Sequence, residues 1–253
     1  MGVELPTFVR RTIGPYMANP MWWRIKSAGR IRKEGDELVV RDRYRFRTSN
    51  EVEYMETFRN LMEIFITQVY KIDVKDRVVL DVGASIADSP IYFASIGAAK
   101  VIGLEPFPAT LELAKYNVKL NKLEGTIKLV NAAIGATMKT ITLTKKLIDT
   151  GSINALTFQS KKGMTVPVVT LQYLVNKYDI NNAIAKFDCE GAEYKAIIAA
   201  PDTTLHAFTD FLIEYDYLSP NELKRLDSKF RVAGFYLVGV NKATTIIHYR
   251  RIK

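Results

Sequence analysis

Cys189 is the only thiol in the chain, so neither a disulfide framework nor a cysteine-based zinc site can form within it. That usage suits a reducing compartment, and the cytoplasm is the expected location. No run of about 18 apolar residues is present, so no membrane-spanning helix is expected. The opening stretch MGVELPTFVRRTIGPY lacks the long apolar centre of a secretory signal and carries Glu4 early. Histidine is equally scarce: His206 and His248 stand alone and far apart, His206 reading as a surface residue and His248 as structural. Internal repeats and low-complexity tracts are missing too. What remains is a chain of 253 residues, 48% hydrophobic, enough for one sizeable α/β domain with a smaller extension.

Charge is unevenly placed. Residues 1–50 carry eleven Lys/Arg against five Asp/Glu, so a fifth of the chain holds six of the nine net positive charges. Such a bias suits an anionic partner (a phosphate-bearing substrate, nucleic acid or membrane surface), and suits a solvated, solubilising face equally well. Within RDRYRFR, strand alternation would put Arg41, Arg43, Arg45 and Arg47 on one face, with Tyr44 and Phe46 on the other. Guanidinium groups so arranged pair well with phosphates, although charge also protects an edge strand. Trp22-Trp23, beside Arg24 and Lys26, reads as packing of the extension or as a stacking surface.

The first 70 residues read as an N-terminal extension, forming a lid or wall of the acceptor pocket. Pro6, Pro15 and Pro20 interrupt residues 1–28. Ile31–Lys33 and Leu38–Phe46 flank a Gly35 turn as a hairpin. Tyr54, Phe58, Leu61, Met62, Phe65, Ile66 and Val69 recur at helical spacing and predict one helix over Glu51–Tyr70. Residues 71–253 alternate between strands and helices. Strands are predicted at Val78–Asp81, Lys100–Leu104, Ile127–Ala133, Ile184–Phe187, Phe211–Tyr215, Gly234–Val240 and Thr244–Tyr249. Helices are predicted at Ser89–Ile96, Pro108–Leu120, Leu171–Tyr178, Glu193–Ala199 and Asn221–Phe230. The alternation implies a doubly wound, mostly parallel sheet. The last two strands are too close in sequence for a crossover and must form an antiparallel hairpin.

In an open α/β sheet, ligands bind at the carboxyl ends of strands, which points to DVGASIADS. A strand ends at Asp81, passes through Gly83, Ala84 and Ser85, and enters a helix that Ser89 can cap. A dinucleotide turn would need further glycines where this chain has Ser85 and Asp88. Asp81 and Asp88 would also repel phosphates and attract cations. S-adenosylmethionine carries an ammonium and a sulfonium and no phosphate, so the loop suits that cofactor. Glu105 closes the second strand, 24 residues after Asp81, where an acid accepts from ribose hydroxyls. Read singly, either acid is a helix cap or surface carboxylate; the combination is what points to a site. Pro106-Phe107 offers a rigid turn and a ring beside the adenosine, or core. Asn131-Ala132 ends the third strand, where amides could read an adenine edge or merely close a turn.

A second constellation, KFDCEGAE, follows. Alternation puts Lys186 and Asp188 on one side of the fourth strand, while Glu190 and Glu193 open the next helix and complement its dipole. Asp188 is placed to act as base toward an acceptor hydroxyl. Cys189 reads as a small buried residue. Glu214, with Asp216 two residues on, could line the acceptor pocket, or join Asp188 around a divalent cation; no metal is expected.

KFDCEGAE, together with DVGASIADS, EPFP, NAAIG, VPVVTL and IEYD in that order, resembles the FkbM-type methyltransferases over about residues 78–217. The resemblance implies a Rossmann-like class I methyltransferase fold, S-adenosylmethionine as cofactor, and O-methylation of sugar or other small-molecule hydroxyls. It assigns Asp81, Gly83 and Glu105 to the cofactor, and Lys186, Asp188, Glu190 and Glu193 to the region near the acceptor. Ala87 stands where that family usually has glycine, which is harmless only if the residue keeps φ below zero. Two other functions remain open. One is an RNA methyltransferase using the basic N-terminal region, although the NPPY-type loop of base N-methylation is replaced here by DCEG. The other is a non-catalytic binding protein that keeps the fold.

Overall fold

The computed structural model describes residues 30–48, 51–143, 164–189, 191–215, 218–241 and 245–252. The segment holding Trp22 and Trp23, and the residues Glu190 and Asp216, lie outside the described residues. The chain divides into two compact units, residues 1–68 and 69–253.

In the first unit, β1 (Ile31–Glu34), β2 (Glu37–Val40) and β3 (Tyr44–Arg47) form a three-stranded antiparallel sheet, followed by α1 (Glu51–Leu61). The stretch expected as one strand over Leu38–Phe46 is broken, because Arg41 and Asp42 take φ of 50° and 56° and reverse the chain. The four arginines therefore do not share one strand face. Only Arg45 and Arg47 lie on β3. Arg45 pairs with Glu37 at 2.8 Å and Glu34 at 2.7 Å, and Arg41 donates to the Phe65 carbonyl. Phe46 is fully buried and meets Phe65 edge-on at 5.7 Å. The helix expected to run to Tyr70 also ends early. It widens into a π-turn over Met62–Ile66, and Gln68 then takes φ 55°, which no α-helix accommodates.

The second unit is built on a seven-stranded sheet. Its strands are β4 (Val78–Val82), β5 (Lys100–Leu104), β6 (Ile127–Val130), β10 (Ala183–Phe187), β11 (Phe208–Glu214), β12 (Phe235–Asn241) and β13 (Ile246–Arg251). Their order across the sheet is β12-β13-β11-β10-β4-β5-β6. β4, β5, β6, β10 and β11 run parallel, and β13 is antiparallel to both neighbours, as the short last connection requires. Parallel pairing demands crossovers, supplied by α2 (Asp88–Ser95), α3 (Pro108–Leu120), α4 (Leu171–Tyr178), α5 (Glu193–Ala199) and the short α6 (Asp202–Leu205). α7 (Pro220–Val232) then leads into the hairpin and starts with a capping box between Ser219 and Glu222. Strands buried on both faces read as continuous apolar runs, and all five residues of β10, Lys186 included, are buried. Phe211 anchors the core at the hairpin end, 4.9 Å from Phe230 and 5.5 Å from Phe235. Full burial of a side chain of that size contributes about 2–3 kcal/mol.

One sheet was not foreseen. β7 (Ala133–Ile134), β8 (Lys139–Leu143) and β9 (Met164–Val169) form a separate three-stranded sheet in the order β7-β9-β8. The third strand of the main sheet accordingly stops at Val130 instead of Ala133, and Asn131-Ala132 carries the chain from one sheet to the other. Pro167 argues against a central strand. It is tolerated because β7 pairs only with Val168 and Val169, so the missing N–H falls past the end of β7.

Candidate active site

The parallel strands deliver their carboxyl ends to one edge of the sheet. There β4 ends near Asp81, β5 at Glu105, β10 at Asp188 and β11 at Glu214. Gly83 joins two of them. It has φ 88°, and a Cβ on it would lie 1.8 Å from the Asp188 carbonyl oxygen. Only glycine allows this approach, which sets the first strand's turn directly against the end of β10.

Lys186 is the electrostatic centre. Its side chain is 2% exposed, with Nζ 3.0 Å from Asp81 Oδ1, 3.6 Å from Asp188 Oδ2 and 2.8 Å from the Gly83 carbonyl, to which it donates. Burial alone would lower the ammonium pKa, but the Asp81 and Asp188 carboxylates outweigh it and hold Lys186 charged above its ordinary value. Asp81 Oδ2 accepts from the Ser89 hydroxyl at 2.6 Å. Its buried Oδ1 faces Lys186 as an ion pair and has no aligned hydrogen-bond donor. Burial raises the Asp81 pKa despite these partners.

Asp188 is the open member of the cluster, its side chain 32% exposed against 0% for Asp81. Its Oδ2 accepts from the Tyr70 hydroxyl at 2.9 Å, and the Glu214 carboxyl, sharing one proton with Asp188, donates to it in its protonated form. Burial would raise Asp188, yet the Lys186 charge and these two donors hold it below the usual carboxylate range. Tyr70 is pushed well above the usual phenol value, first by burial and then by Asp188, so it remains a donor. Its ring also lies 5.6 Å from the Lys186 ammonium. Glu193 is buried and turns back on its own loop, accepting from Cys189 Sγ at 3.2 Å and from the Gly191 amide at 3.0 Å.

The second strand contributes Glu105, 5% exposed. Its Oε2 accepts from the Ser85 amide at 3.1 Å and its Oε1 from the Phe107 amide at 2.8 Å. Burial dominates these bonds and pushes Glu105 up to about 7. Asp88, whose Oδ1 accepts from the Ser89 amide, is likewise pushed by burial up to about 6. Asn131 donates to the carbonyls of Glu105 and Pro106, both at 2.9 Å, and so ties the end of β6 to the end of β5. Phe107 packs with Leu143 and Val166 of the second sheet. Ala84, Pro106 and Ala132 are buried beside the loop.

Two residues beside this set were missed. Helical spacing places Tyr70 at the end of a helix, and no periodicity marks it for the site. Asn117 is 0% exposed on α3 and donates to the Ile86 carbonyl at 3.0 Å. A signal for it existed: Asn117 falls in the apolar stripe of Leu111, Ala114 and Val118, where a polar residue needs a partner. At the opposite edge of the sheet, Asp210 is held by Arg250 at 2.7 Å and His248 at 2.8 Å. His206 is also at that edge, its Nε2 2.9 Å from the Ala233 carbonyl. Among the described residues, no group of three His, Cys, Asp or Glu is placed to hold a metal ion, and no helix is long and apolar enough to cross a membrane.

Among the described residues, Asp81, Asp88, Glu105 and Asp188 gather at the strand ends around the Lys186 ammonium. A buried excess of acids over cations fits a ligand bearing cations and hydroxyl donors, and disfavours phosphate. S-adenosylmethionine meets that description. Sheet order, antiparallel β13 and acids closing β4 and β5 define a class I, S-adenosylmethionine-dependent methyltransferase. The methyltransferase FkbM domain matches residues 81–236, more than half of the chain, and the chain belongs to that family. No curated protein sequence matches it significantly. Among solved structures, the ribosomal protein L11 methylase of Lactobacillus delbrueckii subsp. bulgaricus is 16% identical over 78% of this chain and 80% of its own, with a TM-score of 0.42. TrmK of M. capricolum, solved with S-adenosylhomocysteine, is 14% identical over 74% and 67%, TM-score 0.42. The precorrin-6y C5,15-methyltransferase of Geobacter metallireducens is 13% identical over 81% and 95%, TM-score 0.40.

Proposed function

We propose that this methyltransferase acts on a hydroxyl oxygen of a glycan or another hydroxylated small molecule. The setting of Asp188 carries this reading. It is a partly exposed carboxylate at the end of β10, against the Gly83 turn, fixed by Lys186, Tyr70 and Glu214. S-adenosylmethionine, when bound, supplies an electrophilic methyl group on a sulfonium.

The remaining chemistry belongs to the chain. Gly83, Ala84 and Ser85 would let the cofactor approach backbone, with Asp81, Asp88 and Ser89 complementing its cations and Glu105 accepting from its ribose hydroxyls. Pro106, Phe107, Asn131 and Ala132 would shape the adenosine end. Asp188 would accept the acceptor's O–H, aim its oxygen, and take the proton as the C–O bond forms and the S–CH3 bond breaks, its electron pair remaining on the sulfur of the departing S-adenosylhomocysteine. A carboxylate held this acidic is a weak base, so alignment of the two reactants is the larger contribution. Glu214 steadies the Asp188 carboxylate, and Lys186 keeps it ionised.

The test is transfer of labelled methyl from S-adenosylmethionine to a panel of glycans and small hydroxylated compounds, with native chain and Asp188→Asn. Removing the proton acceptor should lower kcat by about 100-fold or more, with S-adenosylhomocysteine affinity within threefold of native. Transfer to RNA in preference to every hydroxylated small molecule would overturn the reading.

A further inference from the structure

Between Ala84 and Asp88 the chain turns through two residues that resist the turn. Ser85 has φ 47° and Ala87 φ 70°. In this region a Cβ crowds the following carbonyl, and alanine cannot compensate with a side-chain bond to its own backbone, as asparagine can. Ala87 is fully buried and forms the N-cap of α2 with no side-chain cap bond. Backbone strain of this kind persists only where surrounding structure over-determines it.

Two side chains do so. On one side, Glu105 takes the Ser85 amide. On the other, Asn117 Nδ2 donates to the carbonyl of Ile86, the residue between the two left-handed ones. Asn117 arrives from α3, 31 positions away, and is itself 0% exposed. Its neighbours on that face, Leu111, Ala114 and Val118, are apolar and buried, so packing alone would be served by an apolar side chain. An amide buried there costs free energy unless bonded, and its Nδ2 bond goes to the loop.

We infer that Asn117 is a positioning residue for the cofactor site, its amide holding the Ser85–Ala87 loop in a left-handed form that Ala87 by itself disfavours. The inference rests on reading that loop as the cofactor's. Asn117 bonds the loop at the Ile86 carbonyl, and its effect on ligand affinity passes through that residue and its neighbours. Glycine at position 87 adopts positive φ without the Cβ penalty and so removes part of what the clamp must hold, leaving Ser85 as it is.

The experiment is calorimetric titration of the full chain with S-adenosylhomocysteine, for native protein, Asn117→Ala, Ala87→Gly and the double variant. Asn117→Ala should bind about tenfold more weakly, equivalent to about 1.4 kcal/mol. The double variant should bind at least threefold more tightly than Asn117→Ala, a gain larger than any that Ala87→Gly produces in the native background. That non-additivity is the signature of a clamp, and a residue that only supported the fold would not produce it. Native affinity in Asn117→Ala would overturn the inference, as would a folded double variant no tighter than the single one. Should Asn117→Ala not fold, Asn117→Leu keeps the volume, lacks the donor, and is read by the same criteria. Native chain with no affinity for S-adenosylhomocysteine would overturn the cofactor-loop reading itself, a result distinct from weakness confined to the Asn117 variants.

Discussion

The Tyr70 hydroxyl donates to Asp188 Oδ2 at 2.9 Å, joining positions 118 residues apart. Because that bond favours the ionised carboxylate, Tyr70→Phe should raise the Asp188 pKa. Carbon-13 titration of labelled aspartates, with Asp188→Asn for assignment, reads the shift directly. With an acceptor in hand, the acid limb of the kcat profile should move to higher pH, while S-adenosylhomocysteine affinity changes less than threefold.

Cofactor affinity should depend on pH through Glu105, whose carboxyl burial pushes up to about 7. Ribose hydroxyls donate to the carboxylate, so affinity should be full above about pH 7 and fall as Glu105 takes up a proton below it. Asp88, near 6, steepens the loss further down. The linkage for the free protein has the opposite sign. Carboxyls with raised pKa withdraw stability as pH rises from the ordinary value of 4.5 toward 7. The thermal shift caused by S-adenosylhomocysteine should therefore grow from pH 5.5 to pH 8, and Glu105→Gln should flatten most of that growth.

Gly83→Ala should be among the most damaging substitutions in the chain. The added methyl would meet the Asp188 carbonyl oxygen at 1.8 Å, and the residue sits at φ 88°. Separation of β4 from β10 would be needed to relieve the clash. A loss of about 4 kcal/mol or more in urea unfolding, or failure to fold, is expected.

Asp210→Asn separates stability from function. Asp210 is buried and joins Arg250, His248 and Arg77 at the edge of the sheet away from the site. Burial would raise its carboxyl, but bonds from His248, Thr209 and Arg250 hold it well below the carboxylate range, so its contribution is present at neutral pH and lost in strong acid. Asp210 is buried but Arg250 is 44% exposed, so solvent screens the pair and its loss costs about 1–3 kcal/mol. Asp210→Asn should lower urea stability by roughly that amount at pH 7 and much less at pH 2, with cofactor affinity unchanged at pH 7.

Strand ends and their acids were legible because their signals are local. Alternation placed Lys186 beside Asp188, and the 24-residue step from Asp81 to Glu105 reflects one strand–helix–strand unit. Element type failed where local rules were overridden. Arg41 and Asp42 break a stretch that alternates convincingly, since positive φ in such residues has no sequence mark as strong as glycine. Pro167 concealed β9, because whether a missing N–H matters depends on where the neighbouring strand ends.

The sequence by itself determined the doubly wound sheet, its antiparallel last strand, the Gly83 turn and the gathering of acids at the strand ends. These follow from periodicity and from the fixed geometry of strand, turn and helix. Only the tertiary structure decided which atoms of that gathering meet. Tyr70 closes on Asp188, Asn117 grips the loop at Ile86, Glu193 folds back onto Cys189, and Arg45 is paired with Glu34 and Glu37. The long-range contacts among these join segments tens of residues apart, and a hydrogen bond between such segments leaves no period along the chain from which to read it.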